Sequence, residues 1–484
     1  MPKKYLIILL FILLIQLALR IPFLQEPLER DEGAYGYIGQ RILANDLPYR
    51  DVFDHKTPVI YYIYAFIIKT FGGSILSIRL FSAFYSLLTT FAVFLLTLLL
   101  FAAGPALLAA GLYAVFSTGP FIQGTGANTE VFMVLPMVLA FTAFVYGRKQ
   151  GSSSWIILAG VLSGLAVMIK QMAVFNFLVL LGLAYFEKNS RIKSWLSLCA
   201  GFAVFPLFFL IYFALKNVLG DFIYCTILTT RWYSNFYPEL TRAQLWDLRL
   251  LMIRRPLGEQ AILWLGTVLA LFFVHKDRDK KGGWLFLWAV GSLVGVAAPL
   301  LFFAHYFIQL LPALAILGAY GIYKMFSNGG KGRKVVFAVL LLILAVILFN
   351  GEAAYFYLLT PYQISTAKYG VDMFGRAHYY SQDLARIVPR EASLFVWSAQ
   401  PEIYYYLGKR APTRYIYFFP WMERELRSEV LRSIYQKRPD YIFWTALSPF
   451  DKELVDYISK NYVIKKVYYK NTWLLFVRSE LARS

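Results

Sequence analysis

The chain has 484 residues, of which 59% are hydrophobic and only 16% charged. A soluble domain carries about 25% charged residues, so these side chains cannot cover their apolar surface for water, and the natural solvent is lipid. The formal net charge of +20 would suggest a nucleic-acid partner in a soluble chain; here its placement follows membrane topology instead. Cys199 and Cys225 form no CxxC or Cys/His spacing, which argues against a structural zinc site or a disulfide framework.

A lipid-spanning helix needs about 20 mostly apolar residues. Segments 5–24, 74–101, 104–120, 130–147, 153–169, 172–187, 195–216, 260–275, 284–303, 305–323 and 334–350 meet that pattern and predict about eleven transmembrane helices. Lys3 and Lys4 before an apolar run also fit a signal peptide. No small-residue cleavage site follows, however; Arg20-Ile21-Pro22-Phe23 does. The first span is therefore read as an anchor.

With the N-terminus in the cytoplasm, alternation places 1–4, 102–103, 148–152, 188–194, 276–283 and 324–333 inside. With Lys334 at the border they hold fifteen basic residues, among them Lys188, Arg191, Lys276 and Lys331, against Asp277, Asp279 and a border Glu187. That bias obeys the positive-inside rule and accounts for much of the basic charge without nucleic acid. The expected location is the plasma or inner membrane, multi-pass, with outer segments 25–73, 121–129 and 217–259 and an extracytoplasmic C-terminus.

Two domains follow: a membrane domain over 1–350 and a soluble domain over 351–484. In the latter, 393–397, 414–417, 441–444 and 473–477 read as strands, and 376–388, 422–437 and 450–460 as helices. The alternation predicts a small α/β domain.

Segment 25–73 is the most charged short stretch beside a span. It contains Glu29-Arg30-Asp31-Glu32-Gly33-Ala34-Tyr35, then Leu47-Pro48-Tyr49-Arg50-Asp51 and His55-Lys56-Thr57-Pro58. Tyr35, Ile38, Ile42 and Leu43 space as an amphipathic helix from Glu32 to Asn45, and Val59–Phe71 as a second interfacial helix. Sugar transfer to a hydroxyl needs a carboxylate to take the acceptor proton and cations to hold the departing phosphate. Asp31 fits the first role, His55 and Lys56 the second. The same residues also fit ordinary loop charges and helix caps.

These three motifs resemble the first extracytoplasmic loop of the protein O-mannosyltransferase and aminoarabinose transferase superfamily, multi-span glycosyltransferases of the GT-C fold. The resemblance implies a polyprenyl-phosphate sugar donor, an acceptor glycan, lipid or protein, and no metal or cofactor. It puts the catalytic aspartate at Asp31 with Glu32 beside it. Relatives carry an acid and a lysine before a Pro pair where this chain reads His55-Lys56-Thr57-Pro58; His55 stands in the acid's place and Thr57 in that of the first Pro.

Four further signals lie in the apolar body. Glu130, after Asn128-Thr129, suits an acceptor contact or a partner for Lys56, and equally a helix N-terminus; relatives often have an acid there. Lys170 disobeys the charge bias at the outer side, where a cation is costly and often functional; it suits a carrier phosphate, as at a similar point in relatives, or snorkelling to headgroups. His305, before Tyr306 and Pro312, matches a His-Tyr and Pro of the family. Arg231, Arg242, Arg249, Arg254 and Arg255 alternate with Trp232, Tyr233 and Trp246 as interfacial anchors, and Arg79 is read alike. No phosphate loop or dinucleotide fingerprint is present, so a nucleotide sugar is not the expected donor. The competing class is a transporter or flippase of a lipid-linked sugar, which would want broken spans with polar midplane groups. A scaffold whose tail binds a partner is the other.

Overall fold

The computed structural model describes residues 2–186, 191–229, 236–237, 239–328, 330–397, 399–419, 422, 424–445, 452–469 and 472–482. Of the residues singled out above, Glu187, Lys188, Arg231, Trp232 and Tyr233 lie outside the described residues, as does the side chain of Arg191. Each of the eleven apolar segments falls on a helix. Among the described residues, Lys3–Phe23, Ile75–Leu100, Thr129–Gln150 and Ile192–Leu215 are by themselves long and apolar enough to cross a membrane. Two bent pairs raise the number to six: Arg242–Glu259 with Ala261–Asp277, at 78°, and Lys334–Ile347 with Phe349–Tyr357, at 41°. The chain is a multi-pass α-helical membrane protein with a small C-terminal sheet.

The chain divides into two compact units. The first comprises Met1–Gln25, Ile78–Ile211 and Ala243–Ile364 and holds most of the apolar helices. Small residues let its helices approach closely, as membrane packing favours. A Cβ on Gly321 would lie 2.0 Å from the Gly266 carbonyl oxygen, so nothing larger than glycine fits that crossing. Some polar groups inside the apolar body bond to one another. Arg20, 2% exposed, donates to Ser86 Oγ at 2.8 Å and to the carbonyls of Ser117 and Gly124 at 3.1 and 3.0 Å. Gln16 donates to Ser86 and Ser117 and accepts from Thr90. Arg79, expected as an interfacial anchor, is instead buried at 2% exposure. The segment 217–259, expected outside, is largely helical where described, with Arg242–Glu259 running into the next apolar helix at the 78° bend.

The second unit comprises Glu26–Ser77, Tyr212–Arg242 and Ser365–Ser484. Its four-stranded sheet has the order β1 (Leu394–Trp397), β2 (Tyr441–Trp444), β4 (Leu474–Arg478), β3 (Tyr462–Val467). β1 and β2 are parallel and the other two pairs antiparallel. Three predicted strands appear. The fourth, 414–417, does not: Arg414 gives its carbonyl to the Phe53 amide at 2.8 Å, and Tyr415 packs its ring on Phe53 at 5.0 Å, so its partner is the 26–77 segment and not a strand. β3 takes the place at the sheet edge. The predicted loop helices form, as Arg30–Leu43 and Val59–Phe71.

Several contacts within this unit tie residues 26–77 to the C-terminal residues. The Leu28 amide donates to Tyr406 Oη at 2.9 Å, the Ala411 amide to Tyr37 Oη at 2.9 Å, and Tyr405 Oη to the Gly73 carbonyl at 2.7 Å. Gly33 is required: a Cβ there would stand 2.3 Å from Glu402 Cβ and 2.5 Å from its Cα. The second unit is thus built across sequence, with the charged loop among its core elements.

Candidate active site

The helix Arg30–Leu43 begins with a capping box: the Glu29 side chain accepts from the N3 amide, and Glu32 accepts from the Glu29 amide at 3.0 Å. Two otherwise orphaned donors of the first turn are thereby satisfied. Glu32 is fully buried in that task. Asp31, between them, is left with its side chain 33% exposed. Burial, followed by the charges of Asp31 and Glu32, pushes the Glu29 carboxyl well above the usual range.

Lys56 lies beside Asp31, Nζ to Oδ2 at 3.7 Å, with only 8% of its side chain exposed. Tyr35 Oη donates to the same carboxylate oxygen at 3.3 Å. Behind Lys56 stands His55, whose Nε2 is 2.8 Å from Nζ. Asp54 completes the row. Its Oδ1 lies 3.2 Å from His55 Nδ1, accepts from Tyr417 Oη at 3.0 Å, and accepts from the His55 amide at 2.6 Å. The loop is fastened from below, where Tyr49 and Tyr61 both donate to the Lys56 carbonyl, at 2.9 and 3.2 Å. Burial, then the Lys56 charge, holds His55 below its ordinary value. Burial works to raise Asp54, but the hydrogen bond and charge of His55 and the charge of Lys56 outweigh it and hold Asp54 low.

Asp31, His55 and Lys56, picked out in the sequence, therefore converge, and Asp54 and Tyr417 join them unannounced. An acid, Asp54, stands one residue before His55 and packs against its imidazole. The signal was on view in Phe53-Asp54-His55-Lys56. Tyr417 lay in the stretch read as a strand.

Beneath the same helix, Glu402 is fully buried, and among the described residues neither carboxyl oxygen has a hydrogen-bond partner. Burial raises it to about 8. A folded-state value above the ordinary 4.5 means the folded chain binds this proton more tightly. Its stabilising contribution is complete below about pH 4.5 and is lost as pH rises through about 8. Glu402→Gln is expected to flatten thermal stability between pH 5 and 8 by about 1.4 kcal/mol per pH unit, measured by unfolding scans of the full chain in detergent. An unaltered slope would show that Glu402 does not carry it.

In the first unit Glu130, Lys170 and His305 also converge. The apolar helix Ser153–Ile169 ends at Lys170, whose backbone is extended, and a short 3-10 turn, Gln171–Ala173, follows. Lys170 Nζ pairs with Glu130 Oε1 and lies 4.1 Å from the centroid of Tyr306. His305 Nε2 is 3.9 Å from the same oxygen, and its Nδ1 is 3.2 Å from Gln123 Oε1. Thr129 Oγ1 donates to Glu130 Oε2 at 2.8 Å. Lys170 is 6% exposed, so it does not snorkel. Asn128 makes no side-chain cap, although Glu130 sits in the first turn. Among the described residues no group of three His, Cys, Asp or Glu side chains has the geometry to hold a metal.

With this geometry in hand, the chain can be set beside known proteins. Residues 55–213, roughly a third of the sequence, match a family described as dolichyl-phosphate-mannose-protein mannosyltransferase. ArnT from Cupriavidus metallidurans superposes with a TM-score of 0.61 at 13% identity, covering 98% of both chains. The fold is that of the GT-C glycosyltransferases. The same GT-C protein bound to undecaprenyl phosphate gives 0.56 at 14% identity over the same shares. The Archaeoglobus fulgidus oligosaccharyltransferase tethered to an acceptor peptide gives 0.59 at 16% identity, over 99% of this chain and 74% of that one. No curated protein sequence matches the chain. The family match starts at His55 and leaves Asp31 outside it. The resemblance to the mannosyltransferase and aminoarabinose transferase superfamily read from the first loop agrees with these findings.

Proposed function

We propose that the protein is an inverting glycosyltransferase that moves a sugar from a polyprenyl-phosphate lipid to an acceptor hydroxyl on the outer face of the cytoplasmic membrane. The observation that carries the reading is an accessible carboxylate, Asp31, 3.7 Å from the buried ammonium of Lys56. A base and a phosphate-holding cation side by side are what a single displacement at an anomeric carbon needs. Support comes also from the neighbours: one was solved with undecaprenyl phosphate, another with dolichol-phosphate and an inhibitory peptide.

In this scheme Asp31 takes the proton of the acceptor hydroxyl as its oxygen bonds to the anomeric carbon. The bond from that carbon to the phosphate oxygen breaks, and the carrier phosphate leaves with the electron pair. Its charge is met by Lys56, backed by His55. Attack opposite the leaving group inverts the anomeric centre. Glu32 contributes by fixing the helix turn that presents Asp31. Glu130, Lys170 and His305 are assigned to substrate contact: the ammonium held by Glu130 suits a carrier phosphate, and His305 suits a sugar or acceptor hydroxyl. Residues 1–350 are taken as the transferase domain, with a cytoplasmic N-terminus. Residues 351–484 are taken as an extracytoplasmic domain that engages a glycan, lipid or protein acceptor.

The test uses the full chain in lipid nanodiscs with undecaprenyl phosphate carrying labelled hexoses or pentoses. Lys56→Ala is expected to slow sugar transfer roughly a hundredfold. Transfer by Lys56→Ala at the wild-type rate would overturn the assignment. Uptake of lipid-linked sugar into vesicles without sugar release would favour a flippase.

A further inference from the structure

We propose that Asp54 is a positioning residue: its carboxylate fixes the Nδ1–H tautomer of His55, which frees the Nε2 lone pair to hold the Lys56 ammonium beside Asp31. The assignment goes beyond the proposed function and rests on it for the purpose of Lys56, to hold a donor phosphate.

The chemistry at each end of the imidazole decides the tautomer. An ammonium has three donors and no acceptor. The Nε2 that stands 2.8 Å from Lys56 Nζ must therefore be unprotonated. At the other end, an ionised carboxylate only accepts, and Asp54 Oδ1 lies 3.2 Å from Nδ1. Tyr417 Oη, 3.3 Å from Nδ1, gives its hydrogen to Asp54 and so offers Nδ1 only its lone pairs. Both neighbours of Nδ1 demand a proton on it, and the neighbour of Nε2 demands none. One tautomer satisfies all three. The arrangement is the carboxylate–imidazole logic by which an outer partner sets which ring nitrogen faces the working group, here with an ammonium in the metal's place.

Two consequences follow. His55, thus held, has no hydrogen to donate to a phosphate and acts through Lys56. Lys56 has one of its three donors directed at His55, which orients the other two. Among the described residues, the charged and titratable groups that face His55 include Asp54, Lys56, Asp31 and Tyr417, and the charged ones oppose one another in sign. The nearest cation disfavours an imidazolium and the nearest carboxylate favours it.

The experiment is nitrogen NMR on the full chain in lipid bilayers, with isotope-labelled histidine. The chain has four histidines, and His55 is assigned by loss of its signals in His55→Gln. The expected spectrum at neutral pH has a protonated Nδ1 and an unprotonated Nε2. The wild-type titration midpoint should lie below the ordinary 6.5, because burial and Lys56 resist the cation. In Lys56→Met the midpoint should rise, since the repelling charge is gone. In Asp54→Asn it should fall further, and the tautomers should mix. A wild-type ring protonated on Nε2, or a midpoint unmoved by Lys56→Met, would overturn the proposal, and neither result depends on the folding of Asp54→Asn.

Undecaprenyl phosphate is then added as the probe. It should shift the His55 signals in the wild type and not in Lys56→Met. If the tautomer is as expected but the probe shifts nothing, the positioning role stands, and the reading of Lys56 as the donor-phosphate contact fails.

Discussion

Asp31→Asn is expected to lower sugar transfer on the order of 10²- to 10⁴-fold, the usual contribution of a positioned general base, with the chain still folded. The substitution keeps shape and removes only the ability to take a proton. The helix start should survive it, because the capping box is formed by Glu29 and Glu32 and not by Asp31. A lost acid in the first turn costs about 0.3–1 kcal/mol against the helix dipole, too little to unfold the unit. Lys56 keeps its contact to His55 Nε2 at 2.8 Å. The loss should therefore appear in kcat, while the Kd for undecaprenyl phosphate stays near the wild-type value or tightens as Lys56 is released from its carboxylate. Turnover of labelled donor and binding of the sugar-free carrier measure the two separately. Equal losses in kcat and in carrier binding would say that Asp31 shapes the site and is not its base. A wild-type kcat would remove it from the chemistry altogether.

What could be read from the sequence divides along a physical line. Period and composition are local, and features set locally came through: a helix at each of the eleven apolar segments, though among the described residues only four to six spans meet the length of a membrane crossing, the helix carrying Tyr35 and Ile38, and three of four strands. The carboxylate and lysine of the first loop lie 25 residues apart in the chain, Asp31 and Lys56. A resemblance to a known loop brought them together, because no periodicity could. Features set by distant pairing were missed. The stretch 414–417 has the alternation of a strand but gives its backbone to Phe53. β3 has the residues of an edge strand but abuts the helix Lys452–Asn461, and only its pairing with β4 reveals it. Lys170 was read as a contact for a carrier phosphate or as snorkelling to headgroups, and its pairing with Glu130, 40 residues away, was not foreseen. Asp54 was overlooked for the opposite reason: it is adjacent to His55, and adjacent side chains are not assumed to meet until a loop folds them onto one another.

The same distance in sequence makes Lys368→Met the substitution with the largest expected effect on stability. Lys368, in the helix Pro361–Tyr369, pairs with Glu26 at 2.9 Å, and both side chains are 1% exposed. The two residues belong to the second unit and are 342 positions apart. Methionine fills the space of the lysine stem, so packing changes little. What changes is that the Glu26 carboxylate is left in the interior without its cation. Breaking a buried pair on one side costs about 3–5 kcal/mol, whereas replacing both members by apolar groups is often neutral or stabilising. Lys368→Met alone should lower the unfolding midpoint of the full chain in mild detergent. Because Glu26 leads into the turn that presents Asp31, sugar transfer should fall with it. Adding Glu26→Leu to Lys368→Met should restore most of both. The recovery decides the mechanism: if the double variant is no more stable than the single one, the cost lies in lost lysine packing or backbone contacts and not in a stranded charge. If Lys368→Met leaves the midpoint where it was, Glu26 finds water or a proton at little cost, and the pair contributes specificity without stability.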